Sequence, residues 1–144
     1  MIRRPPRSTQ GVSSAASDVY KRQVYDKEKS IKQINSKWSE FIVEGMGCKC
    51  VKEEPWVTVA ETAELAITLL KMGHQESAKK MLSWSHKCRD SDGSYWMGKQ
   101  YEQDIFWPAE KPPWTSASVI LAYDAIYKVS KGSELFLINE LDFL

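Results

Sequence analysis

The chain has 144 residues, 20 Lys and Arg against 19 Asp and Glu, and a formal net charge of +1. That length holds one modest core, and the near-neutral balance offers no basic surface to nucleic acid or an anionic membrane. No apolar run approaches the roughly 18 residues of a membrane-spanning helix, so no span is expected.

The opening stretch MIRRPPRSTQGVSSAASDVYKRQ differs in character from residues 24–144. Residues 1–23 carry Arg3, Arg4, Arg7, Lys21 and Arg22 against Asp18 alone, and their apolar residues keep neither helical nor strand period. Pro5, Pro6 and a Ser-rich run stand where a signal peptide has its apolar centre. The acid-poor composition also suits a transit peptide or a basic binding arm. The segment closely resembles the conceptual translation of a sequencing-adapter oligonucleotide joined to a gene fragment. That resemblance implies an artefact: residues 1–23 are expected to be disordered, and residues 24–144 to be the C-terminal fragment of a longer protein. Without the segment the formal charge is −3, because its five basic residues and one acid account for +4.

Ile31, Ile34, Trp38, Phe41 and Ile42 recur at three- and four-residue steps, which predicts a helix over Asp26–Val43 stopped by Gly45 and Gly47. CKCVKEEPW reads as an extended connection, since Pro55 pushes the residue before it out of the helical region. Thr58 and Glu61 have the spacing of a capping box, in which each side chain satisfies a backbone donor of the other's turn. The Ala/Leu/Glu-rich helix they open is expected to end at Gly73. HQESAKKMLSWSHKC then forms a third helix with Ala78, Met81, Leu82 and Ser85 on one face, completing an antiparallel hairpin.

RDSDGSYWMGKQYEQDIFWPAEKPPW comes next, dense in aromatics and turn formers. Asp92-Gly93 marks a turn, and SYWMGKQY can pair as short strands. A long aromatic-rich loop in a compact domain tends to carry function. Thr115 or Ser116 is expected to cap a fourth helix, ASVILAYDAIYKV, which closes at Gly132, and SELFLINELDFL reads as a last short helix. PWVTVAETAELAITLLKMG and PPWTSASVILAYDAIYKVSKG both lead from Pro-Trp through Thr into an Ala-rich helix, a weak repeat of 57 residues when Thr58 is set on Thr115.

Cys48, Cys50 and Cys88 cannot all pair within the chain, so reduced thiols and a cytoplasmic setting are expected. As a metal clip, Cys48 and Cys50 would need two more ligands, and Cys88, His74 and His86 lie at no recognised spacing. No metal is expected.

DGSYW resembles the Q-x-x-D-G-S-W repeat motif of terpenoid cyclases and protein prenyltransferases, with Arg89 in the Gln place and Tyr95 in the Trp place. FIVEGMGCKCVKEEPWVTVAETAELAITLL, RDSDGSYWMG and IFWPAEKPPWTSASVILAYDAI together resemble the C-terminal part of bacterial prenyltransferase-like proteins, over roughly Trp38 to Phe136. These proteins in turn resemble six-hairpin glycosidases. The resemblance implies an all-α fold, part of an (α/α)6-type toroid of antiparallel helical hairpins with one aromatic-rich loop or short β-hairpin. It also implies chains two to three times this length, and a ligand cavity at the inner helix N-termini.

The chain departs from the catalytic patterns of those families. It has neither the D-x-D-D acid motif of squalene-type cyclases nor a match to the Asp, Cys and His zinc ligands of the prenyltransferases, so a catalytic set would lie outside it. Trp56, Trp96, Trp107 and Trp114 could shield a prenyl carbocation or stack on sugars. Glu61, Glu64, Asp92 and Asp104 are acids near the loops, of the type a glycosidase places on either side of a sugar. Tyr95, Trp96, Tyr101, Phe106, Trp107 and Trp114 either line a cavity or plug the core between hairpins. Asp92 reads as a turn former and His74 and His86 as surface residues. The ligand-cavity candidates are therefore Trp56, Glu61, Tyr95, Trp96, Asp104, Trp107 and Trp114.

The leading expectation is a prenyltransferase- or cyclase-like protein handling an isoprenoid ligand. The alternatives are a carbohydrate-active or carbohydrate-binding protein and a non-catalytic scaffold. The sequence leaves the cofactor and the oligomeric state unknown, and exposed apolar helix faces are expected of a fragment.

Overall fold

A computed structural model describes residues 27–138; the adapter-like stretch 1–23 and the end of the expected last helix lie outside the described residues. Helix α1 (Lys27–Phe41) leads into strand β1 (Ile42–Val43), followed by β2 (Gly47–Lys49) and β3 (Trp56–Thr58). Helices α2 (Val59–Lys71) and α3 (Gln75–Ser85) and a short 3-10 turn (His86–Cys88) come next. The described chain then adds β4 (Gly98–Gln100), β5 (Ile105–Phe106) and α4 (Pro113–Tyr127).

The expected all-α toroid is corrected here. The described residues form a mixed fold in which four helices accompany a five-stranded antiparallel sheet of order β1-β2-β3-β4-β5. The segment read as an extended connection is bounded by two of these strands, β2 and β3. The first helix stops at Phe41 rather than Val43, because Ile42 and Val43 pair with Cys48 and Gly47 across a turn held by Gly45 at φ +79°. SYWMGKQY does not fold on itself. It supplies β4, which inserts between β3 and β5, while Tyr95 alone bridges back to Arg89.

The core gathers around α2, which packs against both α3 and α4. Ala63, Ala66, Ala78 and Ala122 are fully buried, and these small side chains let the helices approach while Met81, Leu82, Val119 and Ile126 fill the space between them. The hairpin of α2 and α3 is present as expected, turning at Gly73 with φ +89°.

Two helix starts differ from the expectation. Thr58 is the N-cap of α2, but its hydroxyl makes no capping hydrogen bond and is buried without a partner. Thr62 takes over: its Oγ1 donates to the Thr58 carbonyl at 2.5 Å and accepts from the Cys48 N–H at 2.9 Å. Helix α4 begins at Pro113 with Pro112 at the cap, so Thr115 and Ser116 lie inside its first turn. Thr58 thus ends a strand where Thr115 sits in a helix, and the 57-residue similarity marks no equivalent positions.

Candidate functional site

Strand β3 sets the geometry. Trp56 and Thr58 share one face of the sheet and Val57 takes the other, because strand side chains alternate. The register pairs Thr58 with Cys48 and Gly98, and Trp56 with Gln100. A side chain at Gly98 would collide with its surroundings, since a Cβ there would stand 2.6 Å from Trp56 Nε1 and run into the Val57 carbonyl. The Trp56 indole therefore lies across Gly98, and Trp107 meets it edge to face at 5.4 Å and 77°. Trp107 is 55% exposed and is the outward surface of the pair.

On the neighbouring helix, Glu61 and Glu64 stand one turn apart on the same flank. The Thr62 hydrogen bonds tie this turn of α2 to β2, and Gly47 permits the approach, since a Cβ there would lie 2.5 Å from Thr62 Oγ1. Glu61 and Cys50 interact electrostatically across this junction. Burial, then the charge of Glu61, pushes that thiol up to about 12, and the same two causes take Cys48 to about 12. Both remain protonated at neutral pH and so are poor nucleophiles and poor metal ligands. Burial, then the repulsion of Glu61, raises the Glu64 carboxyl to about 7. Among the described residues no three His, Cys, Asp or Glu side chains are arranged to hold a metal ion. Glu61 thus stands beside Glu64 and Cys50, while Trp56 and Trp107 form a separate ring pair on the sheet.

The other aromatics are engaged in the structure itself. Trp96 and Phe106 stack with centroids 5.3 Å apart and planes 7° apart. Lys111 lies over Trp96 at 4.9 Å and Lys99 over Phe106 at 5.6 Å. The stacked rings leave no room for an ammonium between them, so each lysine covers an outer face. Lys111 also reaches Asp90 at 2.6 Å and Asp92 at 2.9 Å, while Lys99 pairs with Asp104 at 2.5 Å. Ser94 first, then Lys111, holds the Asp92 carboxyl well below the usual range. Asp92 accepts from the Ser94 N–H at 2.9 Å and Gly93 takes φ +87°, so the Asp-Gly pair makes its turn.

Of the sequence candidates, Trp56 and Trp107 meet ring to ring, and Glu61 stands on α2 beside Glu64 and Cys50. Trp96 and Asp104 belong to the lysine–aromatic stack, and the faces of Trp96 are taken. Tyr95 is buried in the core, with its hydroxyl 2.7 Å from His86 Nδ1. Trp114 stands on the first turn of α4, 54% exposed. A separate groove of about 310 Å³ lies between α1 and the α2–α3 turn, lined by Ile31, Ile34, Trp38, Leu69 and Met72 among others, with no carboxylate in its lining among the described residues.

No family profile matches the chain. A search of characterised proteins finds a relative in Mycolicibacterium hassiacum, MMP endo-(1,4)-3-O-methyl-alpha-D-mannosidase, 41% identical over 104 residues. The match is to a glycosidase. It takes in 72% of this chain, which spans 29% of the relative's length. The prenyltransferase resemblance finds no support in these comparisons, whereas the carbohydrate-active alternative does.

Sequence reasoning places Glu64 only among the nearby acids and sets Cys50 aside with the metal ligands. The three-residue spacing of Glu61 and Glu64 is the available signal. What distinguishes Glu64 is partial burial beside Glu61, which arises from tertiary packing that the sequence pattern does not display.

Proposed function

We propose that this chain is part of a carbohydrate-active protein in which Trp107 offers its ring to a sugar and Glu64 delivers a proton to a glycosidic oxygen. The observation that carries the reading is the 41% identity over 104 residues to a protein named as a mannosidase, and the Glu64 carboxyl, pushed up to about 7 by burial and then by Glu61, supplies a candidate acid. Such a group keeps its proton near neutral pH, as the general acid of a glycosidase must.

Glycoside cleavage needs a second carboxyl across the sugar, about 5–10 Å from the first. Glu61 stands on the same helix flank as Glu64 and acts on its proton affinity instead. The opposing carboxyl would come from outside the described residues. The relative's name extends the proposal to 1,4-linked, 3-O-methylated α-mannose. Methylation makes such a sugar less polar, which suits the exposed Trp107 and Ile105.

Intrinsic tryptophan fluorescence of the chain, titrated with 3-O-methylmannose oligosaccharide, tests the binding part. Saturable quenching that Trp107→Ala abolishes is the expected result. A chain that answers neither to this sugar nor to plain α-mannose oligosaccharide, or that answers only to farnesyl diphosphate, overturns the reading.

A further inference from the structure

Helix α4 presents apolar side chains to solvent as well as to the core. Val119, Ala122, Ala125 and Ile126 are buried against the rest of the fold. On the outer side, Ala117, Ile120, Tyr123 and Tyr127 recur at three- and four-residue steps, with Trp114 one turn ahead. Ile120 is 66% exposed, and Tyr123 and Tyr127 pack on each other at 4.5 Å. Asp124 is the sole charged residue from Pro113 to Tyr127, and it is used locally, accepting from the Ser130 N–H and hydroxyl at 2.7 Å each.

A helix that is apolar all round is ordinarily buried on every side. By contrast, the outward residues of α1 are largely Lys, Glu and Gln. The outer face of α4 therefore has the composition of a covered surface. The matched 104 residues are 29% of the relative's length, so about 250 of its residues lie outside the match and could supply the cover. We infer that the outer face of α4 packs against an apolar segment of the same polypeptide lying beyond these 144 residues. The inference rests on the surface of α4 and not on the proposed chemistry.

The test compares nitration of Tyr123 and Tyr127 by tetranitromethane in this chain and in the longest open reading frame that contains it. Rapid nitration here and roughly tenfold slower nitration in the longer protein is the expected pair of results, since packing removes access except through local opening. Sedimentation of the 144-residue chain should show association without a defined stoichiometry, lost in the Ile120→Lys variant. Equal nitration rates in the two proteins overturn the inference. So does a gene that contains no more than these residues. A discrete dimer that shields both tyrosines and that Ile120→Lys dissociates also overturns it, in favour of a second copy.

Discussion

The indole of Trp56 lies across Gly98, with Nε1 2.6 Å from the point where a Cβ would stand at that position. The contact links β3 to β4 and supports Trp107 from below, so the exposed ring depends on a residue without a side chain. Gly98→Ala should destabilise the fold by about 1–3 kcal/mol, the usual cost of overfilling a packed site. Thermal unfolding should show a midpoint several degrees lower. Gly132→Ala is the control, because a Cβ there meets only the Ser130 hydroxyl at 3.4 Å. Equal midpoints for the two variants would show that Trp56 can move aside.

Glu64 gives the fold a pH dependence of defined sign. Its folded carboxyl titrates at about 7, above the 4.5 ordinary for a glutamate in an unfolded chain. The folded state therefore binds the proton more tightly, and Glu64's contribution is complete below about pH 4.5. It is lost as pH rises through about 7, where burial of the ionised group beside Glu61 becomes unfavourable. Urea unfolding from pH 4.5 to 8 should show stability declining over this window, and Glu64→Gln should flatten the decline. An unchanged slope in Glu64→Gln would assign the dependence to other groups.

The helical part of this fold is legible in the sequence for a simple reason. Helices α2 and α3 run 13 and 11 residues, long enough for the apolar period to show and for Gly73 to mark the turn between them. The strands have two or three residues each, too few for alternation to appear, and β4 reads Gly-Lys-Gln. Their pairing is set by contacts distant in sequence, such as Thr58 with Gly98 and Cys48 with Thr58. The same limit governs the site. Trp56, Glu61 and Trp107 could be chosen by residue type, but the occupation of Trp96 by Lys111 and the burial of Glu64 arise from tertiary placement.

The three thiols should be inert in the folded chain. Cys48 and Cys50 are raised to about 12, by burial first, and burial also pushes Cys88 up. Thiolate, the reactive form, is therefore scarce at pH 8. Ellman's reagent should give little colour with native protein and three equivalents after denaturation. Glu61→Gln should speed the reaction of Cys50, because it removes a negative charge that raises the thiol. A fast native reaction of Cys50 would show that its cover is open and that burial does not suppress its thiolate.

Lys111 holds the Asp-Gly turn to the sheet through three contacts made by one ammonium: Asp90, Asp92 and the face of Trp96. The carboxylates sit at the solvent boundary, so screening by water and salt keeps their contribution to global stability small. The local effect is larger. Asp90 and Asp92 both shape the turn through hydrogen bonds to Ser91 and Ser94, and Trp96 donates its backbone N–H to the Cys88 carbonyl at 2.9 Å. Without the ammonium, two like charges face each other across the turn and one face of Trp96 is uncovered. Lys111→Met keeps the chain length while removing the charge. It should leave the unfolding midpoint nearly unchanged but raise amide exchange across residues 90–97, and the tryptophan emission should shift to the red. High salt should reproduce part of the exchange increase in the native chain. If Lys111→Met and the native chain exchange alike, the stacked rings alone hold the turn and Lys111 is only a surface cation.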